Sequence, residues 1–213
     1  MCTMAQLRAM NGEFEAARTL YRRGRSLLRD LGQGVNAAST GLDVARVELL
    51  AGDLALAERE VQADFEFLKQ SGETYFLSTM AALLSRILRD QGRDEEAMAL
   101  SKTAEEVASA DDIESQILWR CIRAPLVARA GRLDEAEALS RAALAMARKT
   151  EVPALQADAL TELACVLNTK RDSDEARQAL DEAIVLYSAK GDRVSLMRAQ
   201  SLRSGFAAST VAP

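Results

Sequence analysis

The chain has 213 residues, with 27 basic and 32 acidic side chains, no histidine and a formal net charge of −5. That balance argues against a nucleic-acid or anionic-membrane surface as the main role, and the missing histidine removes Ser-His, Cys-His and histidine-based metal chemistry. At 48% apolar residues the chain can build the core of one compact domain or a short repeat array.

No apolar run reaches membrane-spanning length. The opening MCTMAQLRAMNGEFEAAR has no uninterrupted apolar stretch of the kind a secretory signal needs. Ala (39) and Leu (29) make up about a third of the chain, against 16 Val plus Ile. Straight-chain and small residues favour helices, whereas strands favour β-branched ones. The composition therefore predicts an all-α protein. In chain order, the pattern predicts a short helix over about 3–10 and its partner over 14–31. Next come 36–50 with 54–70, 74–90 with 94–109, 112–130 with 134–149, and 154–169 with 173–189. A last helix covers 192–206, and Ala207–Pro213 is read as a frayed tail. Pro125 falls inside a predicted helix and should bend it. With no linker or change of composition, residues 1–206 read as one repeat domain.

The order of these elements follows from a repeat. NGEFEAA at 11–17, GDLALA at 52–57, GRDEEA at 92–97, GRLDEA at 131–136 and RDSDEA at 171–176 recur with a period of 39–40 residues. A second set of turn positions (Gly32, Gly72, Asp111, Glu151 and Gly191) runs in phase with the first. Each period reads as helix, tight turn, helix, longer turn. The turn glycines are expected at positive φ. Ala17, Ala57, Ala97, Ala136 and Ala176 are expected where paired helices cross closely. Asp111 and Glu114 form a candidate capping pair.

Cys2, Cys121 and Cys165 are widely spaced and form no C-x-x-C pair, so they suit a reducing cytoplasm rather than a zinc or redox site. No phosphate loop, dinucleotide fingerprint, nucleophile motif or metal cluster is present. The reading is therefore not an enzyme, with no cofactor and no metal.

The repeats resemble the tetratricopeptide (TPR) pattern of a Gly, an aromatic two residues on, an Ala three beyond, then an aromatic and a small residue. Repeat one carries Gly12, Phe14, Ala17, Tyr21 and Gly24. Repeat four keeps Gly131, Leu133, Ala136 and Ala143, and repeat five keeps Ala176 and Ala183 with Arg171 in place of Gly. The standard repeat is about 34 residues, so this period is long. Repeats near 40 are similar to those of large bacterial signalling proteins of the maltose-regulator type. VELLAGDLALAERE, FLSTMAALLSRILRDQGRDEEA and SQILWRCIRAPLVARAGRLDEAEAL resemble the C-terminal repeats of bacterial proteins with nucleotide cyclase and ATPase domains. The resemblance implies a TPR-like α-α superhelix of about five helix pairs plus a capping helix. It also implies a regulatory scaffold that binds a protein or peptide partner, with no catalysis carried over. The short first helix reads as if the chain began inside a repeat.

In such an array the first helix of each pair lines a concave groove. Arg46 and Arg86 occupy equivalent sites one repeat apart, which places them roughly 8–10 Å from each other. Two readings stay open for them: solvated arginines along the wall, or a pair that takes an anion or carboxylate. Arg120 and Arg123 in the fourth repeat, and Glu48 in the second, fall where large apolar residues are expected. They are either exposed by a register shift or members of a polar pocket between helices; Trp119, next to the two arginines, is either a core plug or a ligand platform. Asp158, Glu162 and Asn168 make the fifth repeat acidic. The candidate partner-binding set is therefore Arg46, Arg86, Arg120, Arg123, Glu162 and Asn168. Two alternatives compete with a protein partner: a metabolite sensor closing on Trp119, and a homodimer formed through an apolar end that includes Leu7 and Met10.

Overall fold

The computed structural model describes residues 2–208, with side chains through Phe206. Among these, twelve helices and no strand occur. They are α1 (Cys2–Met10), α2 (Phe14–Asp30), α3 (Gly34–Ser39), α4 (Gly41–Ala51), α5 (Leu54–Gln70) and α6 (Tyr75–Asp90). The remainder are α7 (Asp94–Val107), α8 (Ile113–Arg129), α9 (Leu133–Ala147), α10 (Pro153–Thr169), α11 (Ser173–Lys190) and α12 (Arg193–Ala208). Backbone contacts divide the chain into two compact units, residues 1–115 and 116–213, with the division inside α8.

The turns explain the period. Gly12, Gly32, Gly52, Gly72, Gly92, Gly131 and Gly191 all have φ between 68° and 83°, where a Cβ is costly. Arg171 adopts φ 66° at the position that other repeats give to glycine. A left-handed conformation costs a non-glycine residue about 1 kcal/mol. It persists because the amide of Asp172 still reaches the carbonyl of Leu167 at 3.0 Å, closing the same C-terminal motif that Glu13 makes to Arg8 and Arg93 to Leu88. The alanines of the close crossings, Ala17, Ala57, Ala97, Ala136 and Ala176, are fully buried.

The expected helix over 36–50 is two helices, α3 and α4, meeting at Thr40. Thr40 Oγ1 donates to the carbonyl of Ala37 at 2.6 Å. Beside it, Gly41 packs so tightly that an added Cβ would run into the Asp64 carboxylate and lie 2.9 Å from Met80 Cε. The helix cap is also displaced by one residue from expectation. Asp112, not Asp111, accepts from the amide of Ser115 at 3.1 Å, while Asp111 accepts from the Ser109 hydroxyl. α8 runs unbroken through Pro125. Ala207 and Ala208 belong to α12, and the rest of the tail expected to fray lies outside the described residues.

In the first unit α1, α4 and α6 pack in succession, each against its own second helix α2, α5 or α7. α6 is buried over most of its length. Its small hydroxyls make that possible: Ser78 Oγ donates to the Ala104 carbonyl at 2.9 Å and Ser85 Oγ to the Ala97 carbonyl at 2.6 Å. In the second unit α10 packs between α9 and α11, and α12 covers α11. The core there is an Ala and Leu cluster with Ile117, Cys121 and Tyr187.

Candidate functional site

Two charged networks lie inside the first unit and hold its helices together. Glu48 of α4 is fully buried. Tyr21 Oη of α2 donates to its Oε1 at 2.8 Å, and Arg18 Nε donates to Oε1 and Oε2 at 3.0 and 3.2 Å. Glu48 is thus not exposed by a register shift but sits in a polar site between helices. The hydrogen bonds to Glu48 hold Arg18 above the ordinary arginine range. Burial, followed by the Glu48 contact, pushes the Tyr21 hydroxyl well above its usual value.

The second network joins α2 to α5 and was not anticipated. Arg25 is 5% exposed and donates from Nη1 to Glu60 Oε2 at 2.9 Å and from Nη2 to Asp64 Oδ2. Its Nε is buried with no hydrogen-bond partner. Burial lowers the Arg25 pKa, and Glu60 offsets part of that shift. A signal for this network does exist in the sequence. Asp64 stands twelve residues past its repeat glycine, where the other repeats place Gly24, Ala104, Ala143 and Ala183. The missing side-chain volume opposite is Gly41.

The arginines of the predicted binding set are more accessible. Arg46 of α4 pairs with Glu114 in the first turn of α8, with side chains 34% and 46% exposed. Arg86 of α6 has Nε 3.9 Å from Asp90 Oδ2, both side chains 30% exposed. The two arginines thus sit on first helices that pack side by side, and each has a partly exposed carboxylate of the chain itself within reach.

In the second unit Trp119 is buried, its Nε1 donating to Gln116 Oε1 at 3.1 Å. The guanidinium carbons of Arg120 and Arg123 lie 4.0 and 4.5 Å from the centroid of its ring, within cation–π range. Arg120 Nη1 also donates to the Gln116 carbonyl and side chain at 2.7 and 2.6 Å. The structure therefore gathers Trp119, Arg120, Arg123 and Gln116 into one cluster. Glu162 and Asn168 are half-buried on α10. On the same helix Asp158 accepts from Tyr187 Oη at 2.6 Å.

The second helices carry features that the sequence reading passed over. A cleft of about 350 Å³ lies between α5 and α7, floored by Phe65, Leu88 and Leu100 and rimmed by Glu58, Arg93 and Glu96. Arg93 ties the rim together, donating to Glu96 at 2.7 Å and pairing with Glu58. In the second unit, Arg141 of α9 and Arg148, the residue that caps its C-terminus, grip Glu175 and Glu182 of α11. Lys170 bridges Asp134 and Glu137 at 2.7 and 2.6 Å. Among the described residues, no group of three or more Cys, Asp or Glu is placed to hold a metal. No described helix is long and apolar enough to cross a membrane.

Solved structures decide the fold class. A thermophilic TPR protein from Thermus thermophilus, TTC0263, superposes with a TM-score of 0.57 at 22% identity, covering 94% of this chain and 98% of that one. The fold is a TPR-like α-solenoid. BtubC (BKLC) from P. vanneervenii matches with a TM-score of 0.58 at 14% identity, covering 94% and 92% of the two chains. A Podosopora anserina chain of nearly identical TPR-like repeats matches at 0.55 and 16% identity, covering 90% and 95%. At these identities the likeness establishes the TPR-like fold alone. No protein-family model matches the sequence, and no curated protein does.

Proposed function

We propose that this chain is a non-enzymatic interaction module that binds a protein or peptide partner along its first helices. In this reading it is a single repeat domain over residues 1–206 and acts as a regulatory scaffold within a larger bacterial, cytoplasmic signalling protein. The observation that carries the reading is the contrast among the arginines of the first unit. Arg18 and Arg25 are committed to buried carboxylates, Glu48 and Asp64. Arg46 and Arg86 are in register on adjacent first helices and face partly exposed carboxylates, Glu114 and Asp90. Exposed ion pairs contribute little stability, so a partner's carboxylate can replace Glu114 or Asp90 at small cost. In the second unit, Arg120, Arg123, Glu162 and Asn168 form the corresponding set. Guanidinium groups recognise carboxylates through paired N–H donors, which favours an acidic peptide segment as the partner.

The test is affinity capture from lysate of the source organism, with the wild-type chain and an Arg46→Ala/Arg86→Ala variant read side by side by mass spectrometry. A protein enriched by wild type and lost by the equally helical variant is the expected result. Identical captures by the two chains, or no specific capture, would overturn the reading.

A further inference from the structure

The outer face of the second helices carries a clamp whose partner is missing from one repeat. In the second unit, Arg141 Nη2 reaches Glu175 at 2.7 and 2.8 Å, and Arg148 Nη2 reaches Glu182 at 2.8 and 3.0 Å. The two arginines stand ten and seventeen residues past Gly131, and the two glutamates four and eleven past Arg171. Seven residues are two helical turns, about 10.5 Å along the axis. Two guanidiniums, one on α9 and one at its C-terminal cap, thus take two carboxylates of the same spacing on α11.

Counted from Gly12, the same two positions on α2 are Arg22 and Arg29. On the next second helix, α5, the positions that should answer them are Leu56 and Ala63. Arg22 and Arg29 are exposed, and among the described residues their side chains make no hydrogen bond or ion pair. The Arg22 guanidinium carbon lies 5.9 Å from the Tyr21 ring centroid. The charge of Arg29 is felt locally, since it helps to lower the Arg25 pKa. Ser26, exposed between the two, places only a small side chain in the gap.

We propose that Arg22 and Arg29 are a docking clamp for an acidic helix of a partner protein, one that presents two carboxylates seven residues apart. The occupant follows from charge complementarity and from the matched pair that this same chain builds between α9 and α11. Two guanidiniums seven residues apart on one helix face match two carboxylates at the same helical spacing. This surface lies on a second helix and does not rest on the first-helix reading above.

The probe is a fluorescein-labelled peptide of the sequence Ser173–Lys190, which carries both glutamates. Its anisotropy is followed against the full chain at low salt. Saturable binding is expected, weakened about tenfold by Arg22→Ala/Arg29→Ala in the protein and about tenfold by Glu175→Gln/Glu182→Gln in the peptide. The combined change should weaken binding little further, as expected for directly paired groups. The protein variant should keep an unfolding midpoint close to the parent's, since both side chains are exposed and unpaired by carboxylates. Binding that ignores Arg22→Ala/Arg29→Ala, as displacement of the chain's own α11 would give, overturns the proposal. So does an absence of saturable binding. Sedimentation with phosphatidylglycerol vesicles through the same arginines, with the peptide unaffected by them, would assign the clamp to a membrane surface instead.

Discussion

The two units join successive repeats by opposite electrostatic means. Between α2 and its neighbours the first unit buries the charges: Arg18 with Glu48 and Tyr21, and Arg25 with Asp64. The second unit fills the equivalent space with alanine and leucine and keeps its ion pairs outside, as Arg141–Glu175, Arg148–Glu182 and Lys170–Asp134. A buried pair punishes the loss of one member, because the other is left charged and desolvated. An exposed pair does not, because water takes over. The same chemistry therefore locks helices in one place and leaves exchangeable contacts in another.

This contrast predicts very different sensitivities. Asp64→Ala, which takes away the buried partner of Arg25 and leaves it only the partly exposed Glu60, should cost about 3 kcal/mol. Urea unfolding followed by helical circular dichroism measures it, and a cost below about 1 kcal/mol would show that the pair behaves as a surface bridge. Arg141→Ala in the second unit should cost only about 0.2–1 kcal/mol, and less at high salt. A large, salt-insensitive loss there would erase the distinction.

The smallest effect is on acid stability. The hydrogen bonds from Lys170, and then from Arg141, hold the Glu137 carboxyl below the usual range. Gln91 and Arg93 do the same for Glu58. A carboxylate whose folded pKa is depressed contributes stability above its unfolded value near 4.3, and that contribution is lost as pH falls through the lower folded value. Glu137→Gln should therefore flatten the decline in stability below about pH 4.3, while leaving the Asp64 effect unchanged. A slope identical to the parent's would remove Glu137 from the account.

Much of this arrangement could be read in the sequence because it is local. The turn glycines, the alanines of the close crossings and most helix limits follow from short motifs repeated every 39–40 residues. The break at Thr40 was not legible, and the close packing beside it, Gly41 against Asp64, joins residues 23 apart in the sequence. Glu48 stood out as a charge in an apolar position, yet its partners Arg18 and Tyr21 lie a repeat away and only the folded chain identifies them. The Arg25–Asp64 pair was visible only as an anomaly, an acid where four repeats place Gly or Ala. For Arg46 and Arg86, the sequence supplied the equivalence of position but not the acids facing them, Glu114 and Asp90.

The most direct test of the account is a nitrogen-15 spectrum of the arginine side chains during titration with a hexaglutamate peptide. If the first-helix arginines exchange their carboxylate partners, the signals of Arg46 and Arg86 shift progressively while those of Arg18 and Arg25 stay fixed. Signals of Arg46 and Arg86 that remain unmoved, or that move no more than those of the two buried arginines, would contradict it.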